Sequence, residues 1–392
     1  MNLAGISFAY LRARPLATAL NLLLLALGIA TITLLLLATA QLEERMGRDA
    51  RGIDLVAGAK GSPMQLVLSA VFHLDAPTGN IPLADAAALS RHPAVKKAIP
   101  LALGDSYRGY RIVGTNHDYL AHYGASLAQG RVWTLPMEAV LGAEVAAKSR
   151  LAVGASFTGA HGLGEGGDAH EQEPFKVVGL LAPTGTVLDR LVLTSVESVW
   201  EVHEHGWQQA SRREITALLI QYASPLAAAM LPRQVNANSA LQAASPAYES
   251  ARLFRMIGVG VDVLRAFGLV LVIAAGLSVF IALLNALEER RYDLAVMRML
   301  GASRGKLMGL MLLEGVSLSL LGGLAGIVLG HLFAEALGAA LKAAQQATVT
   351  GWAWNPQELW LLVLAVVVGV AAAFLPAWRA YRTDVALVLA EG

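Results

Sequence analysis

The chain has 392 residues, of which 56% are hydrophobic and 15% charged, with a formal net charge of +1 and no cysteine. That balance is too apolar for a soluble chain of this length and leaves no basic footprint for nucleic acid. The lack of cysteine excludes disulfides, thiolate metal sites and thiol chemistry.

Residues 15–41 form the first long apolar run, free of Asp, Glu, Lys and Arg. Arg12 and Arg14 precede it, and Ala38-Thr39-Ala40 has the look of a signal-peptidase site. A cleavable core is about 7–15 residues long, so this longer run reads as an uncleaved anchor. Three more such runs follow at 266–287, 315–334 and 359–378. About 20 apolar residues, at roughly 1.5 Å each, cross a hydrocarbon layer of roughly 30 Å. The fold class expected is therefore an α-helical membrane protein with four transmembrane helices, one plus three. A large extracytoplasmic α+β domain separates the first from the second. The boundaries expected are 1–40, 41–256 and 257–392.

Orientation follows the basic residues beside the spans. Arg12 and Arg14 precede span one. Arg290, Arg291, Arg298, Arg304 and Lys306 lie between spans two and three, and Arg379 and Arg382 follow span four. Both termini and the 288–306 loop are thus expected in the cytoplasm. Trp352, Trp354 and Trp360 mark the outer interface, and Trp378 the inner one.

Within 41–256, period-two or short apolar patterns predict strands at 96–103, 107–114, 155–159, 175–182, 190–194 and 214–222. Helices are predicted at 83–91, 143–151, 195–205 and 225–235. A β-rich piece near 115–195 is expected, inserted into a piece built from both flanks. Segments 55–64 and 71–80 read either as turns at the base of this domain or as the lining of a lateral entrance above the membrane. The glycine-rich stretch 159–173 predicts a mobile outer loop. From Tyr248 the pattern is helical and runs into span two; 41–49 continues span one in the same way. Two stiff stalks are expected.

Span three carries Gly322, Gly326 and Gly330 on one helix face, where another helix can approach closely. That helix could belong to the same chain or to a second copy. No span holds a charge near its middle, which argues against an ion-coupled carrier or a water-filled channel. The 288–306 loop predicts a short amphipathic helix, with Leu294, Val296, Met297 and Leu300 on its apolar face and Gly301 at its end. Such a helix either serves topology alone or docks into a groove of a cytoplasmic partner.

The run Asp293-Leu-Ala-Val-Met-Arg-Met-Leu-Gly-Ala-Ser, followed by Leu313-Glu314-Gly315, resembles the signature of the MacB/LolC/FtsX-like ABC transporter permeases. Pro376-Ala-Trp-Arg-Ala-Tyr-Arg382 resembles that family's close after its last helix. Val140-Leu-Gly-Ala-Glu-Val-Ala-Ala-Lys148 and Val153-Gly154 resemble part of its periplasmic core domain. Where this chain has Asp293-Leu294-Ala295, the family commonly has Glu-Ile-Gly. The resemblance implies a coupling helix seated on a separate cytoplasmic ATPase, with Glu289, Arg291, Asp293, Met297, Arg298 and Gly301 at the contact. ATP would be bound by that partner, since this chain has no Gly-x4-Gly-Lys-Ser/Thr loop. It further implies a bacterial inner-membrane complex, a second permease copy as homodimer partner, surrounding lipid, and a periplasmic or lipoprotein client. A regulator that activates a periplasmic enzyme is the alternative within the same fold.

Gly301-Ala-Ser-Arg-Gly305 matches the spelling of a nucleophile elbow, but it follows a helix and has no cytoplasmic histidine to serve it. Eight of the 9 histidines fall in the outer segment. His161, Asp168 and His170 share the glycine-rich loop, and His203 and His205 form a second group. These are the candidate ligands for zinc, against the plainer reading of surface histidines.

Overall fold

The computed structural model describes residues 3–162, 174–203, 213–343 and 349–382. It contains two compact units: Glu43–Met256, here the inserted domain, and Met1–Leu42 with Ile257–Gly392, here the membrane unit.

Helices α1 (Leu3–Ala13) and α2 (Pro15–Asp49) come first. Pro15 suits the first turn of α2, where its missing N–H has no helical partner to lose. At 35 residues, α2 is about 52 Å long. Its polar tail from Gln41 therefore continues well past the apolar run.

The inserted domain begins with β1 (Leu55–Ala59) and α3 (Pro63–Ala70), the latter capped by Ser62, which accepts the Gln65 N–H. Next come β2 (Ile81–Pro82), α4 (Leu83–Ser90), β3 (Val95–Tyr107), β4 (Tyr110–Thr115) and α5 (His117–His122). After them lie β5 (Leu127–Gly130), β6 (Glu138–Leu141), α6 (Ala143–Ser149), β7 (Ser156–Phe157) and β8 (Ala160–His161). β9 (Phe175–Leu181), a 3-10 turn at Val187–Arg190, β10 (Val192–Ser195) and α7 (Val196–His203) follow. The domain closes with β11 (Glu214–Ile215), β12 (Ala217–Tyr222), α8 (Pro225–Asn238) and β13 (Leu241–Ala244).

One 11-stranded sheet runs in the order β13-β1-β12-β3-β4-β10-β6-β9-β5, with β7 on β9 and β8 on β3; β11 and β2 form a separate pair. β3 serves two neighbours. Its first half pairs with β12 as far as Leu101, its second half pairs with β4 from Ala102, and its register shifts between Leu103 and Ser106. A bulge of this kind bends a strand, so the two ends of β3 feed two apolar clusters. One gathers Leu55, Leu218, Ile220, Leu231 and Val235, and the other Ile112, Leu141, Phe175, Val177 and Val192.

The segment beginning at Leu55 is not a turn. β1 lies between β12 and β13, antiparallel to both, with Leu55, Val56 and Ala57 fully buried. Its small residues are required, because Leu66 of α3 packs onto Gly58. Gly142, in the Val140–Lys148 motif, is a contact glycine: a side chain there would run into the carbonyls of Leu188 and Asp189.

The membrane unit is completed by α9 (Pro246–Glu289), α10 (Arg291–Met299), α11 (Arg304–Ala343) and α12 (Glu358–Arg382). Among the described residues, α2, α9, α11 and α12 are the four helices long and apolar enough to cross a membrane. Gly322, Gly326 and Gly330 of α11 face Leu25, Ile29 and Thr33 of α2. The glycine strip thus seats two helices of one chain against each other. Gly315 meets Ala373, and Gly369 meets Ser319, so α12 closes on α11 by the same device.

Candidate functional site

The connection between α9 and α11 is a helix held at both ends. Arg290 leaves helical geometry (φ −102°, ψ 11°), which separates α10 from α9. Asp293 in the first turn and Arg298 in the last complement the helix dipole. Gly301, at φ +96°, takes the left-handed conformation that ends the helix, and the Ala302 N–H donates back to the Met297 carbonyl. Ser303 then accepts the Lys306 N–H at 3.3 Å and starts α11.

Leu294 and Ala295 are buried, and Leu294 and Met297 pack with Leu287, Leu307, Leu310, Met311 and Ala377. Met297 therefore faces the bundle, and Gly301 shapes the chain. Leu300, expected on the apolar face, is 83% exposed. Arg291, Tyr292, Asp293 and Met299 are exposed with it. Tyr292 and Met299 stand seven residues apart, two turns along one stripe, a spacing that the sequence displays and that the expected apolar face overlooked. Arg298 is half-buried, with Nη1 lacking a partner. Glu289 ends α9 and pairs with Arg14, while Arg291 lies 3.3 Å from Glu288.

Behind α10, Arg290 is buried. Its Nη1 lies 3.3 Å from the Glu314 carboxylate, and its guanidinium sits over the Tyr10 ring at 3.7 Å. Here α1, the α9–α10 junction and α11 share one charged contact. Arg290 and Glu314 are 24 residues apart in the chain, and their pairing follows only from the fold.

At the other end of the bundle, the chain before α12 is clamped. His331 Nδ1 meets the Gly351 carbonyl, and Nε2 meets Glu358 at 2.9 Å. Both ring nitrogens thus face oxygen atoms, one from the backbone and one from a carboxylate. Gln41 of α2 brackets Thr350, accepting its N–H at 2.9 Å and donating to its carbonyl at 2.8 Å.

Inside the inserted domain, the end of α2 is pinned by a buried carboxylate. Asp49 accepts the Val187 N–H at 2.8 Å, and the Tyr123 hydroxyl donates to the Asp49 carbonyl at 2.7 Å. Further along, Glu138 accepts from Arg131 and from the Thr134 N–H at 2.9 Å. The Arg131 guanidinium holds the Glu138 carboxyl down at about 2.

Of the expected zinc ligands, only His161 and His203 fall within the described residues. His161 is the last residue of β8, opposite Asp105, and His203 ends α7. Asp168, His170 and His205 lie outside the described residues. Among the described residues no three His, Cys, Asp or Glu side chains gather as a metal site. The other histidines have structural partners. His73 is half-buried against the Tyr119 hydroxyl at 3.0 Å, His117 meets the Trp133 carbonyl, and His122 meets the Arg51 carbonyl.

The fold defines a four-span membrane protein with a large α/β domain between its first and second spans. Known families match both parts. The MacB-like periplasmic core domain matches residues 18–238, and the FtsX-like permease C-terminal region matches residues 265–385. The chain belongs to the MacB/FtsX family of ABC transporter permeases. A Bacillus subtilis (strain 168) protein described as the uncharacterized ABC transporter permease YknZ is 32% identical over 118 residues. That stretch is 29% of this chain and 27% of the relative, so the chain spans about a quarter of that protein's length. Two solved domains overlap it more widely at 14% identity. The periplasmic region of MacB from Actinobacillus actinomycetemcomitans covers 52% of this chain and 95% of its own, with a TM-score of 0.34. The extracellular domain of the noncanonic ABC-type transporter YknZ from Gram-positive bacteria covers 48% and 98%, with a TM-score of 0.31.

Proposed function

We propose that this chain is the non-catalytic membrane subunit of an ATP-driven complex that does mechanical work outside the membrane. A cytoplasmic ATPase binds and hydrolyses ATP and moves α10. The continuous helices α2 and α9 carry that motion to the inserted domain. The domain then acts on a periplasmic or membrane-embedded client such as a lipoprotein or lipid-like molecule, with no solute threading between the spans. Two copies of the chain pair in a bacterial inner membrane, with both termini and α10 on the cytoplasmic side.

The observation that carries this reading is α10 itself. It is packed by Leu294 into the bundle, tied through the preceding Arg290 to Glu314, and presents Arg291, Tyr292, Asp293, Met299 and Leu300 outward. An exposed aromatic and aliphatic stripe flanked by charges is what a helix seated in a partner's groove requires. Family membership supports an ATPase as that partner. The lengths of α2 and α9, 35 and 44 residues, support transmission by stiff helices.

Asp293→Arg reverses one exposed charge in the first turn and leaves the buried face of α10 untouched. The variant is expected to enter the membrane normally and to lose copurification with its ATPase, with ATPase stimulation falling about tenfold, or about 1.4 kcal/mol of contact energy. Tyr292→Ala should act in the same direction. An ATPase that stays bound and stimulated in both variants removes α10 from the interface.

A further inference from the structure

The chain that enters α12, at the end of the bundle away from α10, joins an apolar surface to a backbone that does without water. From Val349 to Trp360 the sole charged residue is Glu358, and it is fully buried. Trp352, Trp354 and Trp360 stand outward, 89%, 61% and 72% exposed. Leu359, Val363 and Val367, four residues apart and all exposed, continue that surface along a spanning helix. The tryptophan surface and the lipid-facing stripe of α12 are therefore continuous.

A loop in water can leave its backbone polar groups to solvent. Here side chains take them. The Thr350 N–H donates to Gln41, the Gly351 N–H to Glu335 and the Trp352 N–H to the Thr350 hydroxyl. The Thr350 carbonyl accepts from Gln41, and the Gly351 carbonyl meets His331. A capping box then takes the Asn355 N–H to Glu358 and the Gln357 N–H to Asn355. The fit is close: a Cβ on Gly351 would stand 2.1 Å from the His331 carbonyl oxygen. Internal satisfaction of backbone groups is what a water-poor setting demands. Indole, apolar with one N–H, favours the border between hydrocarbon and headgroups.

We infer that residues 349–360 form a platform set into the headgroup zone of the leaflet farther from α10, backbone as well as rings. The indoles of Trp352, Trp354 and Trp360 lie among the glycerol and ester groups of its phospholipids. Lipid is the occupant because it already meets the same surface along α12. Gln41 holds Thr350 from both sides, so the platform also fixes the depth at which α2 leaves the bilayer. No ATPase is required for this placement, which stands apart from the coupling proposed for α10.

The chain has no cysteine, so one introduced thiol can carry a nitroxide. The purified full chain is reconstituted in bilayers of phosphatidylcholine and phosphatidylglycerol, with Ala353→Cys as the probe. Leu226→Cys, exposed on α8 of the inserted domain, and Val367→Cys, exposed on α12, give the water and hydrocarbon references. Collision rates with oxygen and with a water-soluble nickel chelate report depth. At position 353 the nickel rate should fall about fivefold below that at 226, because a hydrated chelate avoids apolar surroundings. The oxygen rate should lie between the two references. Nickel access equal to that at 226 would place the loop in water and overturn the inference. Exclusion of both reagents would show a protein surface, such as a second copy, over the loop and would overturn it too. Trp352→Cys, whose label replaces an indole, should report the same depth and keeps the test valid if the first variant folds poorly. Gln41→Ala removes the bracket and leaves the tryptophans; it should sharpen the nitroxide spectrum at 353. An unchanged spectrum would detach α2 from the platform.

Discussion

In the inserted domain, neighbouring elements meet through large side chains. Leu55, Leu101, Leu141, Val177 and Ile220 fill the space around one continuous sheet. In the membrane unit, the helices pack through Leu25, Val272, Leu283 and Leu318 and also meet where side chains are missing. Gly322, Gly326 and Gly330 admit Leu25, Ile29 and Thr33, while Leu277, Ile281 and Val363 point away from the bundle. The difference follows from the surroundings. In water, removing apolar surface drives association, at roughly 25 cal/mol per Å². In lipid that drive is absent, and helices associate through close contact and a few hydrogen bonds. The polar contacts are distributed accordingly. The inserted domain buries Asp49, Arg111, Glu138 and Thr194 within its sheet and loops, whereas the membrane unit keeps Arg290–Glu314 and His331–Glu358 near its two ends.

The contrast can be broken by matched substitutions. The largest effect is expected from Leu101→Ala, which empties a fully buried site in β3 and should cost about 4 kcal/mol by transfer and cavity terms. The same change at Leu277, exposed on α9, should leave detergent-solubilised stability nearly unaltered. Comparable losses in the two thermal melts would show that the membrane helices rely on their outward side chains after all. Gly326→Ile comes next. A Cβ there stands 2.6 Å from that of Ile29, so α2 must move away, at about 3 kcal/mol. Gly258 of α9 has nothing within 4 Å of its Cβ position, and Gly258→Ala should be neutral or stabilising. Equal tolerance at positions 326 and 258 would contradict the packing role of the strip.

The smallest effect is a pH dependence confined to the inserted domain. Burial, with Arg111 and Arg190 nearby, pushes the His73 pKa well below its usual 6.5. The folded state therefore keeps His73 neutral, and its stability is full above 6.5 and declines as pH falls below that value. Glu138 has the opposite charge type and a depressed pKa of about 2, against the usual 4.5. Its contribution is full above 4.5 and is lost as pH falls toward 2. His73→Asn, a residue that tolerates the left-handed backbone found there (φ 54°), should flatten the upper window alone. Glu138→Gln should flatten the lower one alone. Hydrogen exchange across β4, α5 and β6 measures both, and a slope unchanged by either variant removes these groups as its source.

Much of the architecture was legible in advance because some patterns have a single physical outcome. Twenty apolar residues without charge become a spanning helix, and the predicted strands at 96–103, 107–114 and 175–182 appear as β3, β4 and β9. Helices predicted at 83–91 and 225–235 appear as α4 and α8. β1 escaped because Leu-Val-Ala-Gly-Ala followed by Gly-Ser-Pro carries turn residues; its place in the sheet comes from partners more than 150 residues away, β12 and β13. β6 escaped because its four residues show no usable period, and both its neighbours are distant in the chain.

The functional surface divides along the same line. Composition and spacing alone determined that this chain enters a membrane four times, that a large folded domain follows its first span, and that a short helix joins spans two and three. Those outcomes depend on local periodicity and on the exclusion of charge from hydrocarbon, both written in contiguous residues. Tertiary structure alone decided that Met297 faces inward and Leu300 outward, that Arg290 is buried between Tyr10 and Glu314, and that Gln41 of α2 holds Thr350. Each of these depends on where two or three helices cross, and a crossing is set by packing between residues that no local pattern connects.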